Sequence, residues 1–196
     1  IKVPFVCLDF YDKGHECDAV ITDNYYGMYK LTNYLFDMGH KDIAYVGTLL
    51  YTNSITDRYF GYCKALLEHG CALRNDWLIA DRDMETGDQG KDFPFRLPEQ
   101  MPSAFVCNCD EIAFAAIRKL QSMGYSVPDD ISIAGYDNFL ISEMSEPQIT
   151  TISVDAKEIA DTAVSVLIEK INNPMKKPEI RSISGNLEVK NSIRKI

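Results

Sequence analysis

The 196 residues carry 29 acidic against 20 basic side chains, for a formal net charge of −9, and 46% of them are hydrophobic. That length and apolar content allow a sizeable core, whereas the charge opposes direct grip on a polyanion, because DNA affinity needs a clustered basic surface that releases counterions. No apolar run reaches about eighteen residues, and the opening IKVPFVCLDF lacks a basic start and a small-residue cleavage site, so neither a membrane span nor export is expected.

In chain order, VPFVCLD (3–9) and DAVIT (18–22) read as strands. Residues 24–38 place Tyr26, Tyr29, Leu31, Tyr34 and Leu35 at helical spacing and stop at Gly39, a helix C-terminal signal. Strand DIAYVG (42–47) follows. Ser54-Ile55-Thr56-Asp57 has the pattern of a capping box, with Ser54 as cap of a helix running to Gly70. WLIA (77–80) is a strand, and the polar DRDMETGDQGKDFPF (81–95) allows only a short helix around Gly87, Gly90 and Pro94. SAFVC (103–107) is a strand, residues 110–123 a helix with Ile112, Ala115, Ala116, Ile117 and Leu120 inward, and 131–134 a strand ending at Gly135-Tyr136-Asp137-Asn138. QITTI (148–152) is extended, Asp155 caps a helix to Ile171, and Pro174 and Pro178 precede a last apolar stretch, IRSISGNLEV. The basic residues of the tail, Lys176, Lys177, Arg181, Lys190, Arg194 and Lys195, interleave with Glu179 and Glu188 and read as a solvated face.

Alternating strands and helices imply an α/β fold with parallel sheets covered by helices on both faces. Ligands of such sheets bind at the carboxyl ends of the strands. Asp9, the segment 48–54, Cys109, Asp110, Asp137 and Asn138 all fall at that rim. Six cysteines (7, 17, 63, 71, 107, 109) form no CxxC pair, and His15, His40 and His69 show no ligand spacing. Buried, reduced thiols in a cytoplasm are expected, with no metal and no cofactor.

Four ordered blocks, MGHKDIAYVG, SITDRYFGYCKALLEHG, SAFVCNCDEIAFAAIRKLQSMGYSVPDDISIAGYDN and PQITTISVD, resemble the effector-binding core of the lactose/galactose repressor (LacI/GalR) family. That resemblance implies a periplasmic-binding-protein-like, two-lobed receptor that clamps a small effector, a sugar or sugar derivative, between lobes joined by three crossing segments. It further implies a cytoplasmic homodimeric regulator whose operator DNA is bound through an upstream helix-turn-helix absent here, the amino lobe being incomplete in this chain. Residues 1–17 and 144–173 would belong to the amino lobe, and 18–143 and 174–196 to the carboxyl lobe.

Carried over by position, the family's Arg-x-x-Gly-Tyr arginine falls on Arg58, whose donor fork suits two adjacent hydroxyls or a carboxylate. The aspartate of Gly-(Phe/Tyr)-Asp falls on Asp137, an acceptor for vicinal hydroxyls, and Asp9 matches a position facing the cleft from the amino lobe. In the Ala-Asn-Asp block, Asp110 matches but Cys109 replaces the asparagine. Arg82 stands where an aromatic often stacks on the ligand, and Ser54 serves as ligand contact or only as helix cap. Arg58 could instead be an exposed ion-pair partner, and Asp137 a helix cap. Alanine at Arg58 or Asp137 is expected to abolish ligand binding without unfolding the protein. Helix 110–123 and the loop 139–147, with Phe139, Leu140, Ile141 and Met144, offer apolar surface for a dimer or for packing in their own lobe. Two other readings share these residues: a periplasmic sugar-binding protein of a transporter, and an enzyme with Cys109 as nucleophile near a helix amino end.

Overall fold

Strands with no polar face fix the centre of the molecule, whose computed structural model describes residues 3–11, 14, 17–87 and 96–196. β3 (Ile43–Val46), β5 (Ala104–Cys107) and β6 (Ser132–Ala134) are buried at every position, as a parallel sheet covered on both sides requires. With β4 (Leu78–Ile79) they form a four-stranded parallel sheet ordered β4-β3-β5-β6. Their side chains alternate between two cores. Ile43, Tyr45, Ala104 and Val106 meet Met28, Leu31 and Leu35 of α1 (Asn24–Asp37) and Tyr62 and Leu66 of α2 (Asn53–Glu68). Ala44, Val46, Phe105 and Cys107 meet Ile112, Ala113, Ala116, Ile117 and Leu120 of α3 (Asp110–Ser122) on the other face.

A second, smaller sheet is also parallel: β1 (Val6–Leu8), β2 (Asp18–Thr22) and β8 (Ile180–Ile183), ordered β1-β2-β8. Helix α5 (Ala156–Asn172) covers it, with Ala163 and Val166 packed near Val20, Val6 and Ile183. β7 (Thr151–Ser153) pairs antiparallel with β9 (Asn186–Glu188). Its backbone also flanks the segment after β6, Gly135 N–H donating to Thr150 C=O at 2.9 Å and Asp137 N–H to Ile152 C=O at 2.8 Å.

These pairings shift the expected lobe boundaries. Strands 18–22 and 180–183, expected in the carboxyl lobe, join β1 in the small sheet, while residues 148–153, expected in the amino lobe, lie along the large sheet. The crossings fall at Asp23, at Val154-Asp155 and between β8 and β9. A strand's local pattern says that it is buried, not which sheet it joins.

Local expectations fare better at helix ends. Asp155 caps α5 by accepting from Glu158 N–H at 2.9 Å. For α2 the cap is Thr52, whose hydroxyl accepts from Ile55 N–H at 3.1 Å, and not Ser54, which lies inside the first turn. The loop 139–147 contains a short helix, α4 (Leu140–Met144), with Phe139, Leu140 and Met144 exposed. Of the expected short helix in 81–95, residues 84–86 form a turn and 88–95 lie outside the described residues, as does His15. In the basic tail Lys176 and Arg181 each contact both Glu169 and Glu179 at 2.5–2.9 Å, whereas Lys190 turns inward to Asn138 Oδ1 and Ser142 Oγ. Among the described residues no helix is long and apolar enough to cross a membrane.

Candidate functional site

Four carboxyl ends converge on one cleft of about 300 Å³, between the small sheet and the rim of the large one. Asp9 and Phe10 enter after β1, Thr52, Ser54, Ile55 and Arg58 from the start of α2, Arg82 after β4, Asn108 and Cys109 after β5, and Asp137 and Phe139 after β6. Six of the seven residues expected from sequence therefore line one space. The seventh, Asp110, does not.

The floor of the cleft is an ion pair. Arg58 is only 5% exposed, and each nitrogen of its guanidinium has an acceptor: Nε donates to Asn24 Oδ1 at 2.7 Å, Nη1 to the Asn108 carbonyl, and Nη2 to Asp137 Oδ1 at 2.9 Å. Its plane also lies over the Tyr136 ring, 3.8 Å from the centroid. Tyr136 is held in turn by its hydroxyl, which donates to Asp23 C=O at the first crossing, 3.2 Å away. Burial works against the Arg58 charge, but Asp137 beside it, together with Tyr136, Tyr45 and Cys109, outweighs that effect and raises its pKa. For Asp137 burial is the stronger influence and outweighs Arg58, so its carboxyl is raised. The exposed ion-pair reading of Arg58 is thus replaced by a buried one.

Asp9 (φ 60°) and Asp137 (φ 101°) both adopt left-handed backbone as their strands end. Short polar side chains tolerate that region best, and such local strain gathers at binding sites. Asp9 Oδ1 accepts from the Thr22 hydroxyl at 3.1 Å. Asn138, at φ 57°, faces away from this floor, bonding Ser153 Oγ at 3.3 Å and Lys190 Nζ at 2.8 Å.

Arg82 reaches the cleft with its charge already engaged. Nε and Nη2 both donate to Asp81 Oδ2, at 3.0 and 2.7 Å, and the guanidinium lies 4.6 Å from the Tyr51 ring centroid. Asp81 is fully buried and also accepts from Thr48 N–H at 2.6 Å and Asn108 Nδ2 at 3.1 Å. Arg82 therefore presents a neutralised edge to the cleft and not a free charge. Ser54 donates to Asp9 C=O at 3.3 Å, tying α2 to the loop after β1.

Asp110 is a strut. With no exposure at all, it accepts from the Thr151 hydroxyl at 2.7 Å and from Phe139 N–H at 2.8 Å, joining α3 to β7 and to the loop after Asp137. Burial pushes its carboxyl up to about 7, against the lowering effect of those two donors. A carboxyl raised in the folded state contributes stability that is complete below its unfolded pKa near 4 and lost as pH rises through about 7. Asp110→Asn, which cannot ionise, should gain on the wild type by about 2 kcal/mol between pH 5 and pH 7. Urea unfolding of both proteins at the two pH values checks this, and a constant difference would mean that Asp110 titrates as an ordinary carboxyl.

Cys109 is the residue before α3 and caps nothing with its side chain. Burial pushes its thiol up to about 12, the opposite of what a nucleophile near neutral pH requires. Sequence reasoning missed Asn108, Ile55, Phe10 and Phe139 as lining residues, and Asn24 and Tyr136 as supports of Arg58, and it offered Asp81 as a partner of Arg58 rather than of Arg82. Tyr136 had a signal, its place inside the Gly-Tyr-Asp motif. Asn24 is 34 residues from its partner and had none.

Residues 32–193 match the family model described as "Periplasmic binding protein-like domain". The chain belongs to that family. Within this periplasmic-binding-protein-like group its relatives are LacI-type regulators, as the four sequence blocks imply. It is 32% identical to "HTH-type transcriptional repressor PurR" of Actinobacillus pleuropneumoniae and 30% identical to the PurR repressor of Glaesserella parasuis, matching all of this chain in each case. The chain spans 59% of the length of these curated relatives. A LacI family regulator of Enterococcus faecium, solved with bound ribose, superposes with a TM-score of 0.82 at 29% identity, over 98% of this chain and 71% of that one.

Proposed function

We propose that the chain is the effector-binding core of a transcriptional regulator, and that its cleft binds a neutral, hydroxyl-rich ligand of the sugar class. The observation that carries this reading is the Arg58–Asp137 pair on the cleft floor. Together they offer one donor edge and one carboxylate to vicinal hydroxyls, while Phe10 and Phe139, each 53% exposed, offer apolar faces to a ring. Both guanidinium groups already have a carboxylate partner, and Asp9 adds a negative charge. An anionic ligand would meet no free cation among these lining residues. The ribose bound by the Enterococcus faecium relative agrees with this chemistry.

DNA contact is made outside these 196 residues, because a net charge of −9 repels phosphates. Ligand preference for one lobe arrangement is transmitted as a change in operator affinity, a coupling of about 1–3 kcal/mol in such switches. Cytoplasmic location and a homodimer, with Phe139, Leu140 and Met144 of the α4 region as contact surface, complete the reading.

A thermal-shift screen of the intact protein against ribose, cellobiose, nucleosides, sugar phosphates and sugar acids tests it. At a hundredfold excess over Kd, a ligand adds about 2.7 kcal/mol, roughly 5–10 °C in Tm for a domain of this size. The expected result is a shift with a neutral sugar and none with its phosphate. A larger shift with the phosphate would overturn the neutral-ligand reading.

A further inference from the structure

Two of the six cysteines are paired in space without being bonded. Cys7 Sγ on β1 and Cys17 Sγ, in the residue before β2, are 3.3 Å apart. The register explains the approach: Cys7 sits opposite Ala19, and Cys17 lies two residues earlier on β2's side, so both thiols point to the same face of the small sheet. A disulfide needs about 2.05 Å between sulfurs, so closing the bridge draws the two thiols together by a little over 1 Å.

The other four cysteines offer no such partner. Cys107 and Cys63 are buried with thiols raised by that burial, Cys109 is pushed up to about 12, and Cys71 donates to His69 C=O at 3.8 Å. Cys17 is half-buried, whereas Cys7 is 6% exposed. An external oxidant therefore meets Cys17 first.

Residues 9–11, which follow Cys7 on leaving β1, have a task at the cleft. Asp9 and Phe10 line it, Asp9 C=O accepts from Ser54 Oγ at 3.3 Å, and Tyr11 C=O accepts from Asn53 Nδ2 at 2.8 Å. The Tyr11 hydroxyl also reaches Asp57 Oδ2 at 3.5 Å. The loop from the small sheet is thus docked on the first turn of α2, one turn from Arg58.

We infer that Cys7 and Cys17 are a reversible dithiol–disulfide site, oxidised by small disulfides such as oxidised glutathione, whose closure ties β1, next to the cleft-lining Asp9 and Phe10, to the start of β2. The Cys17 thiolate attacks one sulfur of oxidised glutathione, forming a mixed disulfide and releasing one glutathione thiolate. The Cys7 thiolate then attacks Cys17 Sγ, forming the internal disulfide and expelling the second glutathione. The protein loses two electrons and two protons, and oxidised glutathione is reduced to two thiols. A bridge between them removes chain entropy from the unfolded state, so the bridged protein is expected to melt at a higher temperature than the reduced one.

The test equilibrates the reduced intact protein with graded ratios of reduced to oxidised glutathione, quenches with acid, alkylates the remaining thiols and maps the peptides by mass spectrometry. The expected result is that Cys7 and Cys17 disappear from the alkylated pool together and reappear as one linked peptide, with the other four cysteines unchanged. Cys7→Ser should instead trap glutathione on Cys17, and Cys17→Ser should give no bridge. Independent titration of the two thiols, glutathione on both without a link, or a link through any other cysteine would overturn the proposal. So would a bridged protein that melts below the reduced one, because the sulfurs would then not be poised for closure.

Discussion

Arg58→Ala should destabilise the fold by about 3–5 kcal/mol, lowering Tm by roughly 6–20 °C, as well as removing ligand affinity. Deleting one partner of a buried ion pair leaves the other charge without compensation, and here Asn24 Oδ1 and the Asn108 carbonyl lose their donors as well. The geometry therefore revises the expectation that alanine at Arg58 or Asp137 would spare folding. Removing both groups should be milder than the sum of the single losses, because the orphaned charge goes too. In a double-mutant cycle by urea unfolding, the coupling between the two positions is expected to reach about 2 kcal/mol. An Arg58→Ala protein that unfolds at the wild-type urea concentration would show that the pair bears no structural load, and that its burial serves ligand recognition alone.

How much of this was legible in the sequence depends on the range of the signal. β3, β5 and β6 are short apolar runs bounded by turn residues, and α1, α2, α3 and α5 are periodic segments with a cap or a terminal glycine, so each was readable from its own residues. The allocation of β2 and β8 to the small sheet was not, since a parallel strand buried on both faces reads alike in either sheet. The cap of α2 slipped from Thr52 to Ser54 because three capping residues, Thr52, Asn53 and Ser54, stand in a row, and the downstream Asp57 favoured the wrong one.

The site follows the same division. Strand ends could be found locally, so Asp9, Cys109 and Asp137 were named, and the family pattern added Arg58 and Arg82. What those side chains do is decided by partners distant in sequence. Asp137, 79 residues away, engages Arg58, and Thr151, 41 residues from Asp110, turns a supposed ligand residue into a strut. Nothing near residue 110 signals the hydroxyl that waits for it.

Gly61, the glycine of Arg-x-x-Gly-Tyr, carries the other large effect. By helix propensity alone Gly61→Ala should stabilise α2 by about 1 kcal/mol. A Cβ at this position would lie 2.1 Å from Tyr25 C=O and 2.9 Å from Tyr29 N, both backbone atoms of α1. No side-chain rotation relieves that overlap, so α1 and α2 must separate where their backbones touch. Overpacking a contact of this kind costs about 3 kcal/mol, more than the propensity gain. The separation also reaches the site. Gly61 is one turn beyond Arg58 on the same face of α2, and Tyr25 directly follows Asn24, which holds Arg58 Nε at 2.7 Å. The variant should therefore unfold at lower urea than wild type and, where still folded, bind the proposed cleft ligand more weakly, although residue 61 lies outside the cleft. An equal or higher urea midpoint would mean that the helices slide apart freely, and the glycine of the motif would then owe its place to something other than the close approach of α1.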